Sequence, residues 1–278
     1  MGGSGTLSAM IDAAAYRQQG WVLIPGLFDR AEMDELRGEA WSVFRRQLER
    51  RGYLGTTEVS EAEMTAALAR YFAERTAEFA NCGKQIQHLI GLHRLSLDER
   101  VTSIIGALGL DAPNVAVRPV VFFNHPSLAR EDFYWKTPAH QDWRSMQGSL
   151  DSVIVWVAMV DVDAPLGPLE VVPGSHLGGL VAERFEDGFG QTDAFGDEDF
   201  VAVPMRQGDG LFFSSFLVHR SGTNASDALR WSAQFRFNNL AERTFIDRGY
   251  PHSFVYRSVD ELLTPGFPTQ ADVQQTFG

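Results

Sequence analysis

From residue 8 to about residue 110 the apolar positions recur at helical spacing. The run LSAMIDAAAYRQQG has the 3.6-residue period and stops at Gly20. WVLIPGLF is a short apolar run broken by Pro25-Gly26, which predicts a strand or a turn. DRAEMDELRGEAWSVFRRQLERRG predicts a strong amphipathic helix, with Asp29 as N-cap and Gly52 as stop. SEAEMTAALARYFAERTAEFANCG repeats the pattern, and Ser60 and Glu63 stand at capping-box spacing. LSLDERVTSIIGALGL adds further helical turns.

Near residue 115 the pattern changes from period 3.6 to short β-branched and alternating runs. NVAVRPVVFFNHP, DSVIVWVAMVDV, GPLEVVPGSH, FVAVPM, GDGLFFSSFLVHRSG and LRWSAQFRFNN are separated by Gly, Pro, Asp and Asn turns. DSVIVWVAMVDV is continuously apolar, as a strand covered on both faces should be. Strands this short and this closely spaced predict a sandwich or a barrel. FEDGFGQTDAFGDED is expected to be an acidic, glycine-rich loop, and the 183–200 region around it could serve as a lid.

Composition narrows the function. Of 278 residues 44% are hydrophobic, enough for a sizeable core, and the 20 Phe and 6 Trp suit a lined cavity. A net charge of −12 without a basic stripe argues against nucleic acid or an anionic membrane as partner. With Cys82 as the one cysteine there is neither an internal disulfide nor a cysteine zinc cluster, and a reducing cytoplasm is the expected location. The opening MGGSGTLSAM has no basic and apolar leader pattern and reads as a flexible tail. No run of about 18 apolar residues predicts a membrane span.

The candidate chemistry lies in PAHQDWRSMQGS, where His140 and Asp142 stand two residues apart. In an extended segment they would point to one side. A third ligand would complete a two-His, one-carboxylate facial site with open positions, the arrangement of non-haem Fe(II) oxygenases. His219, in FLVHRSG, is the natural candidate. The pair alone is weak, but Arg230 opens the next strand eleven residues on, and a guanidinium inside a β-barrel needs an anion. Ser221 could share that anion. Neither HExxH, nor GxxxxGK[ST], nor GxGxxG after a strand occurs.

HxD, then GPLEVVPGSH, then GDGLFF, then HRSG, Asn224 and Arg230, all in this order, resemble the phytanoyl-CoA dioxygenase family. YRQQGWVLIPGLFDRAEMDELR resembles that family's opening, so the likeness covers roughly residues 16–240. The resemblance implies an α+β chain with a double-stranded β-helix (jelly-roll or cupin-like) core and N-terminal and flanking helices. It would be a single domain over 1–278: mainly helical at 8–114, β-helix at 115–240, C-terminal extension at 241–278. It implies Fe(II) on His140, Asp142 and His219, with 2-oxoglutarate and O2 as cosubstrates. Arg230 would grip the far carboxylate of 2-oxoglutarate with help from Ser221, and Trp156 and Asn124 would flank it. Phe123, Gln141, Trp143, Arg144 and Gln147 would face substrate. Related halogenases carry a small residue in place of the carboxylate, so Asp142 favours hydroxylation, with desaturation, cyclisation and epimerisation open.

Other residues are expected to be structural. His176 should hydrogen-bond backbone, Gly174 should supply a positive-φ turn, and His88, His93, His125 and His252 have no partner pattern. Arg236 shares the face of Arg230 and is expected in a rim salt bridge. The leading function is an oxygenase of a small polar metabolite or natural-product intermediate, acting as monomer or homodimer. An acyl-CoA hydroxylase, a cupin-like binding protein without oxygenase activity and a Zn(II) hydrolase are the alternatives.

Overall fold

A computed structural model describes residues 11–55, 58–129, 136–186, 189–252, 264–266 and 269–277. Helix α1 (Ala13–Gln19) ends where Gly20 turns left-handed at φ 83°. Strand β1 (Trp21–Ile24) follows, then α2 (Arg30–Arg50), α3 (Glu61–Glu74), α4 (Thr76–Gln85), α5 (Ile90–Ser96) and α6 (Glu99–Ala107). Asp29 and Ser60 stand at the N-caps of α2 and α3, and Ser60 and Glu63 close the expected capping box. The β-region comprises β2 (Pro113–Asn124), α7 (Trp143–Met146), β3 (Val153–Ala158), β4 (Leu169–Val171), β5 (Arg184–Glu186), β6 (Phe189–Gln191), β7 (Val201–Val203), β8 (Gly210–Ser214), β9 (His219–Ser221) and β10 (Arg230–Asn239). Helices α8 (Arg243–Asp247) and α9 (Gln270–Phe277) close the described chain. No described helix is long and apolar enough to cross a membrane.

All pairings are antiparallel. The larger sheet has the order β1-β8-β3-β10-β2 and the smaller one β7-β4-β9, the jelly-roll arrangement of a double-stranded β-helix. The expected acidic loop is partly ordered otherwise: β5 and β6 pair as a hairpin within it.

Two-residue alternation divides the larger sheet between two cores. On β3, Val153, Val155 and Val157 join Trp231, Ala233, Phe235 and Phe237 of β10 against the helices. Ile154, Trp156 and Ala158 point the other way, into a second cluster with Leu169, Val171, Leu211 and Phe213. Both faces are covered, which is why β3 reads as an unbroken apolar run. On β10 the inward positions are instead Arg230, Ser232, Gln234 and Arg236. An apolar strand thus presents a polar row to the interior.

The helical layer is pinned by Arg100 on α6. Its guanidinium donates to Asp98, the N-cap of its own helix, at 2.8 and 2.9 Å, and to Glu32 in the first turn of α2 at 2.7 and 3.0 Å. It also lies 4.5 Å over the Phe28 ring. Hydrogen bonding to Arg100 holds both carboxyls below their usual range. Their folded values lie under the unfolded ones, so this stabilisation is complete above the unfolded range near about pH 4 and is lost as pH falls through the depressed values. Arg100→Met should lower the unfolding free energy by about 1–2 kcal/mol at pH 7 in denaturant titrations. Its difference from the natural protein should shrink as the pH is taken below about 4; an undiminished difference there would assign the loss to packing on Phe28.

Candidate metal centre

His140 and His219 meet across an isolated antiparallel bridge. The His140 N–H donates to the His219 carbonyl at 3.0 Å, and the His219 N–H returns to His140 at 3.1 Å. Directly opposed residues bring their side chains together, and the two imidazole centroids lie 4.2 Å apart. The Ser221 N–H donates to the Thr137 carbonyl at 2.9 Å, so the segment before His140 runs along β9. Asp142 arrives by a different route from the one expected. The chain leaves extended geometry there (φ −70°, ψ −24°), and Asp142 caps the one-turn helix α7. Its carboxylate Oδ1 lies 3.6 Å from His140 Nε2.

One ligand atom from each of His140, Asp142 and His219 lies within 4.8 Å of the others, and all three residues are buried. The rings are oriented from behind: His140 Nδ1 lies 2.8 Å from the Pro138 carbonyl and His219 Nδ1 3.0 Å from the Leu217 carbonyl. A carbonyl only accepts, so Nδ1 carries the proton and Nε2 presents its lone pair to the centre. Burial, reinforced by His140, pushes the His219 imidazole down to about 3, so it is neutral and able to ligate at neutral pH. Burial opposes ionisation of Asp142, but Arg236 beside it, with His140 and His219, outweighs that and holds the carboxyl well below the usual range. Two imidazoles and one carboxylate fit a divalent first-row metal, iron among them.

The centre opens into a cavity of about 440 Å3. Arg230 lines it, 1% exposed. Its Nη2 donates to Ser221 Oγ at 2.9 Å and its Nη1 to the Gly167 carbonyl, while Nε is buried without a partner among the described residues. Gly167 makes this approach possible: at φ 74° it sits where a Cβ would fall 2.5 Å from the Thr223 carbonyl carbon. Burial pulls the Arg230 guanidinium down to about 10, so it stays charged near neutrality. No carboxylate of the described residues pairs with it. A buried cation without a counter-ion is costly, and the cavity beside it is where an anion would be held.

The other expected contacts separate by strand face. Trp156 lines the cavity beside Phe213 and Leu169. Phe123 does not, because alternation sends it to the helical side of β2, stacked on Trp231 at 4.6 Å and edge-on to Phe44; its neighbours Val120 and Phe122 face inward instead. Asn124 lies behind the cavity wall, where Asn224 Nδ2 approaches its carbonyl at 3.3 Å. The Trp143 ring stacks on Phe216 and its Nε1 donates to the Ser149 carbonyl at 3.3 Å. Gln147 caps α7 in the left-handed region at φ 50°, also outside the wall. Arg144 does line the cavity, but its Nε pairs with Glu183 at 3.0 Å and its Nη2 with the Val181 carbonyl.

Arg236 overturns the expected rim position: its Nη2 donates to Asp142 Oδ1 at 3.2 Å and to Gln234 Oε1 at 3.1 Å inside the cavity. Gln234 also lines it and was not singled out in the sequence, whereas Glu183 and Phe185, which line it too, fall in the 183–200 region expected as a lid. The β10 alternation carried the signal for Gln234, and the acidic, glycine-rich composition carried it for the 183–200 region. His176 Nε2 lies 3.1 Å from the Arg17 carbonyl and Gly174 has φ 77°, both as expected. Glu170 pairs with Arg220 on the far side of β4.

The phytanoyl-CoA dioxygenase (PhyH) family model matches residues 16–232, most of the chain and all of the centre. This chain belongs to that family. It is a non-haem iron, 2-oxoglutarate-dependent dioxygenase by class. The peroxisomal phytanoyl-CoA dioxygenase of Rattus norvegicus is 23% identical over 274 residues, covering 94% of this chain and 78% of that protein. Among solved structures, the epimerase SnoN, in complex with Fe3+, alpha ketoglutarate and a nogalamycin compound, aligns at TM-score 0.55 with 22% identity over 84% of each chain. The carbocyclase SnoK from nogalamycin biosynthesis aligns at TM-score 0.53 with 20% identity, covering 91% of this chain and 96% of that one. At these identities the solved structures establish the fold.

Gln141, between two candidate ligands, was expected to meet substrate. It lines the cavity, and its amide is held there, donating to the Gly179 and Phe216 carbonyls at 2.8 and 2.6 Å and accepting from the Val181 N–H at 3.0 Å. Gln141→Leu leaves three backbone groups without that partner and should cost about 2–4 kcal/mol in urea unfolding of the metal-free protein. A loss below about 0.5 kcal/mol would show that this clamp contributes nothing.

Proposed function

We propose that this chain hydroxylates a small polar metabolite or natural-product intermediate, with His140, Asp142 and His219 holding Fe(II) and Arg230 holding 2-oxoglutarate. The observation that carries this is the pairing of a buried two-His, one-Asp cluster with a buried, ion-unpaired guanidinium on the wall of one cavity. Iron with bound 2-oxoglutarate and O2 supplies the oxidising power, and succinate and CO2 leave as coproducts. Everything else is the work of the protein's own groups. Arg230 and Ser221 orient the distal carboxylate, and the depth of Arg230 sets how far that cosubstrate reaches. Trp156, Phe213 and Leu169 keep water from its flank. Thr137, Ser145, Gln234 and Arg236 give the substrate side of the cavity its polar contacts, among Val120 and Phe122.

A polar substrate suits that mixed wall, and a net charge of −12 disfavours the phosphates of a CoA ester. SnoN and SnoK, of the same fold, are described for nogalamycin. The rat relative, matched along nearly the whole chain, keeps an acyl-CoA substrate as the second reading. The chain acts as one catalytic domain in a reducing cytoplasm, as a monomer or homodimer.

Anaerobic addition of Fe(II) and 2-oxoglutarate should give a visible charge-transfer band that His140→Ala abolishes. Arg230→Met should weaken 2-oxoglutarate about 10–100-fold, the worth of a charge-assisted pair. No band, together with unchanged 2-oxoglutarate affinity in both variants, would leave only a binding protein. Succinate release across a metabolite panel tests the substrate class: faster turnover with acyl-CoA esters than with free polar metabolites would reverse the choice made here.

A further inference from the structure

We propose that Arg236 is a positioning residue that keeps Asp142 on the metal through a single oxygen. The inference rests on the reading of His140, Asp142 and His219 as iron ligands. Arg236 sits within β10, its side chain 13% exposed. The amino group Nη2 has two hydrogens, and both are committed: one to Asp142 Oδ1 at 3.2 Å, the other to Gln234 Oε1 at 3.1 Å. Asp142 Oδ1 is also the oxygen that faces His140 Nε2 at 3.6 Å. The guanidinium therefore holds the oxygen nearest the neighbouring ligand atom, and Gln234 stops the guanidinium from turning away.

The strand register gives a second, independent observation. Against β3, the pairing from Ser232↔Ala158 to Phe237↔Val153 is regular. Against β2 it slips on both sides of Arg236: Gln234 pairs with Val120, Arg236 with Val117 and Phe237 with Val115. One extra β2 residue is accommodated at each slip. Such bulges sharpen the local twist and re-aim side chains, and they recur beside active sites. Pro119 lies in the first of them, where its missing N–H costs no ladder bond. The edge strand yields around Arg236 while the central pairing stays straight.

Coordination number gives the arrangement its purpose. Held by two imidazoles and one carboxylate oxygen, a six-coordinate metal would keep three positions free, the number that a chelating cosubstrate and O2 would need. A carboxylate that chelated through both oxygens would leave only two. Pinned by Arg236 at Oδ1, the oxygen that faces the neighbouring ligand atom, the carboxylate is restrained from swinging about its Cβ–Cγ bond to bring Oδ2 onto the metal as well. A pair kept only for stability would be a poor use of this site, since buried ion pairs are often replaceable by apolar groups at little cost.

Anaerobic titration with Co(II), then with 2-oxoglutarate, tests this without substrate or turnover, because Co(II) visible bands report coordination number. Arg236→Met should still bind Co(II), but with displaced bands before 2-oxoglutarate is added and about tenfold weaker 2-oxoglutarate affinity afterwards. Arg236→Lys should recover part of both. Gln234→Met should move both in the same direction by less, and it decides the matter if Arg236→Met does not fold. Arg230→Met, which loses a direct contact, should weaken 2-oxoglutarate while leaving the Co(II)-only bands in place. Bands and affinities within twofold of the natural protein in Arg236→Met and Gln234→Met would overturn the proposal. Co(II) binding that survives His140→Ala undiminished would instead remove the metal-centre reading, and this inference with it.

Discussion

The interior of this protein is organised around two guanidinium groups that have been taken out of water on one strand. Arg230 and Arg236 lie on the inward face of β10, opposite a face formed by Trp231, Ala233, Phe235 and Phe237 that packs on the helices. Desolvating such a group is expensive. The two are compensated differently. Arg236 has a carboxylate, Asp142, within hydrogen-bonding distance. Arg230 has a hydroxyl, a carbonyl and open cavity. One cation is satisfied by the fold and the other faces the cavity, and this asymmetry sets a His140–Asp142–His219 side of the site against an Arg230 side.

Backbone geometry supports that division at several points. The reciprocal bonds between His140 and His219 bring two imidazoles together before any metal is involved. The carbonyls of Pro138 and Leu217 then fix which nitrogen of each ring faces the centre. Gly167 lets its own carbonyl reach Arg230 by accepting a positive φ in a crowded crossing, and Gly222 passes close against it on the end of β9. The GPLE and HRSG stretches are therefore two sides of one contact, in which Gly222 makes room for Gly167 and Pro168, and Gly167 for the backbone of Thr223 and Asn224. Gln141 binds the ligand segment to the 179–181 turn and to the Phe216 carbonyl while it also lines the cavity.

The helical half contributes differently. Among the described residues it supplies no group to the cavity wall, and it covers the opposite face of the large sheet. What it does supply is the second apolar face that permits β3 to be hydrophobic throughout and β10 to afford a polar row on its other side. Arg100 ties that layer together between the starts of α2 and α6.

Much of this was legible from residue order. Helix limits at Gly20 and Ser60, the change to strands near residue 115, the His140–Asp142–His219 set and Arg230 with Ser221 could all be read there, because caps, periodicity and ligand chemistry are local or motif-bound. The sequence also determined that β10 alternates, and so that Arg230, Gln234 and Arg236 share a face. Tertiary structure alone decided what that face meets. The bulges of β2 and the helical turn at Asp142 bring Arg236 to the metal ligand instead of to the rim. The pleat sends Phe123 to the core and Phe122 to the cavity, and packing on Phe216 takes Trp143 away from it. Which side of a strand faces a cavity depends on register against its neighbours, a long-range pairing that a one-residue slip reverses and that no local pattern encodes.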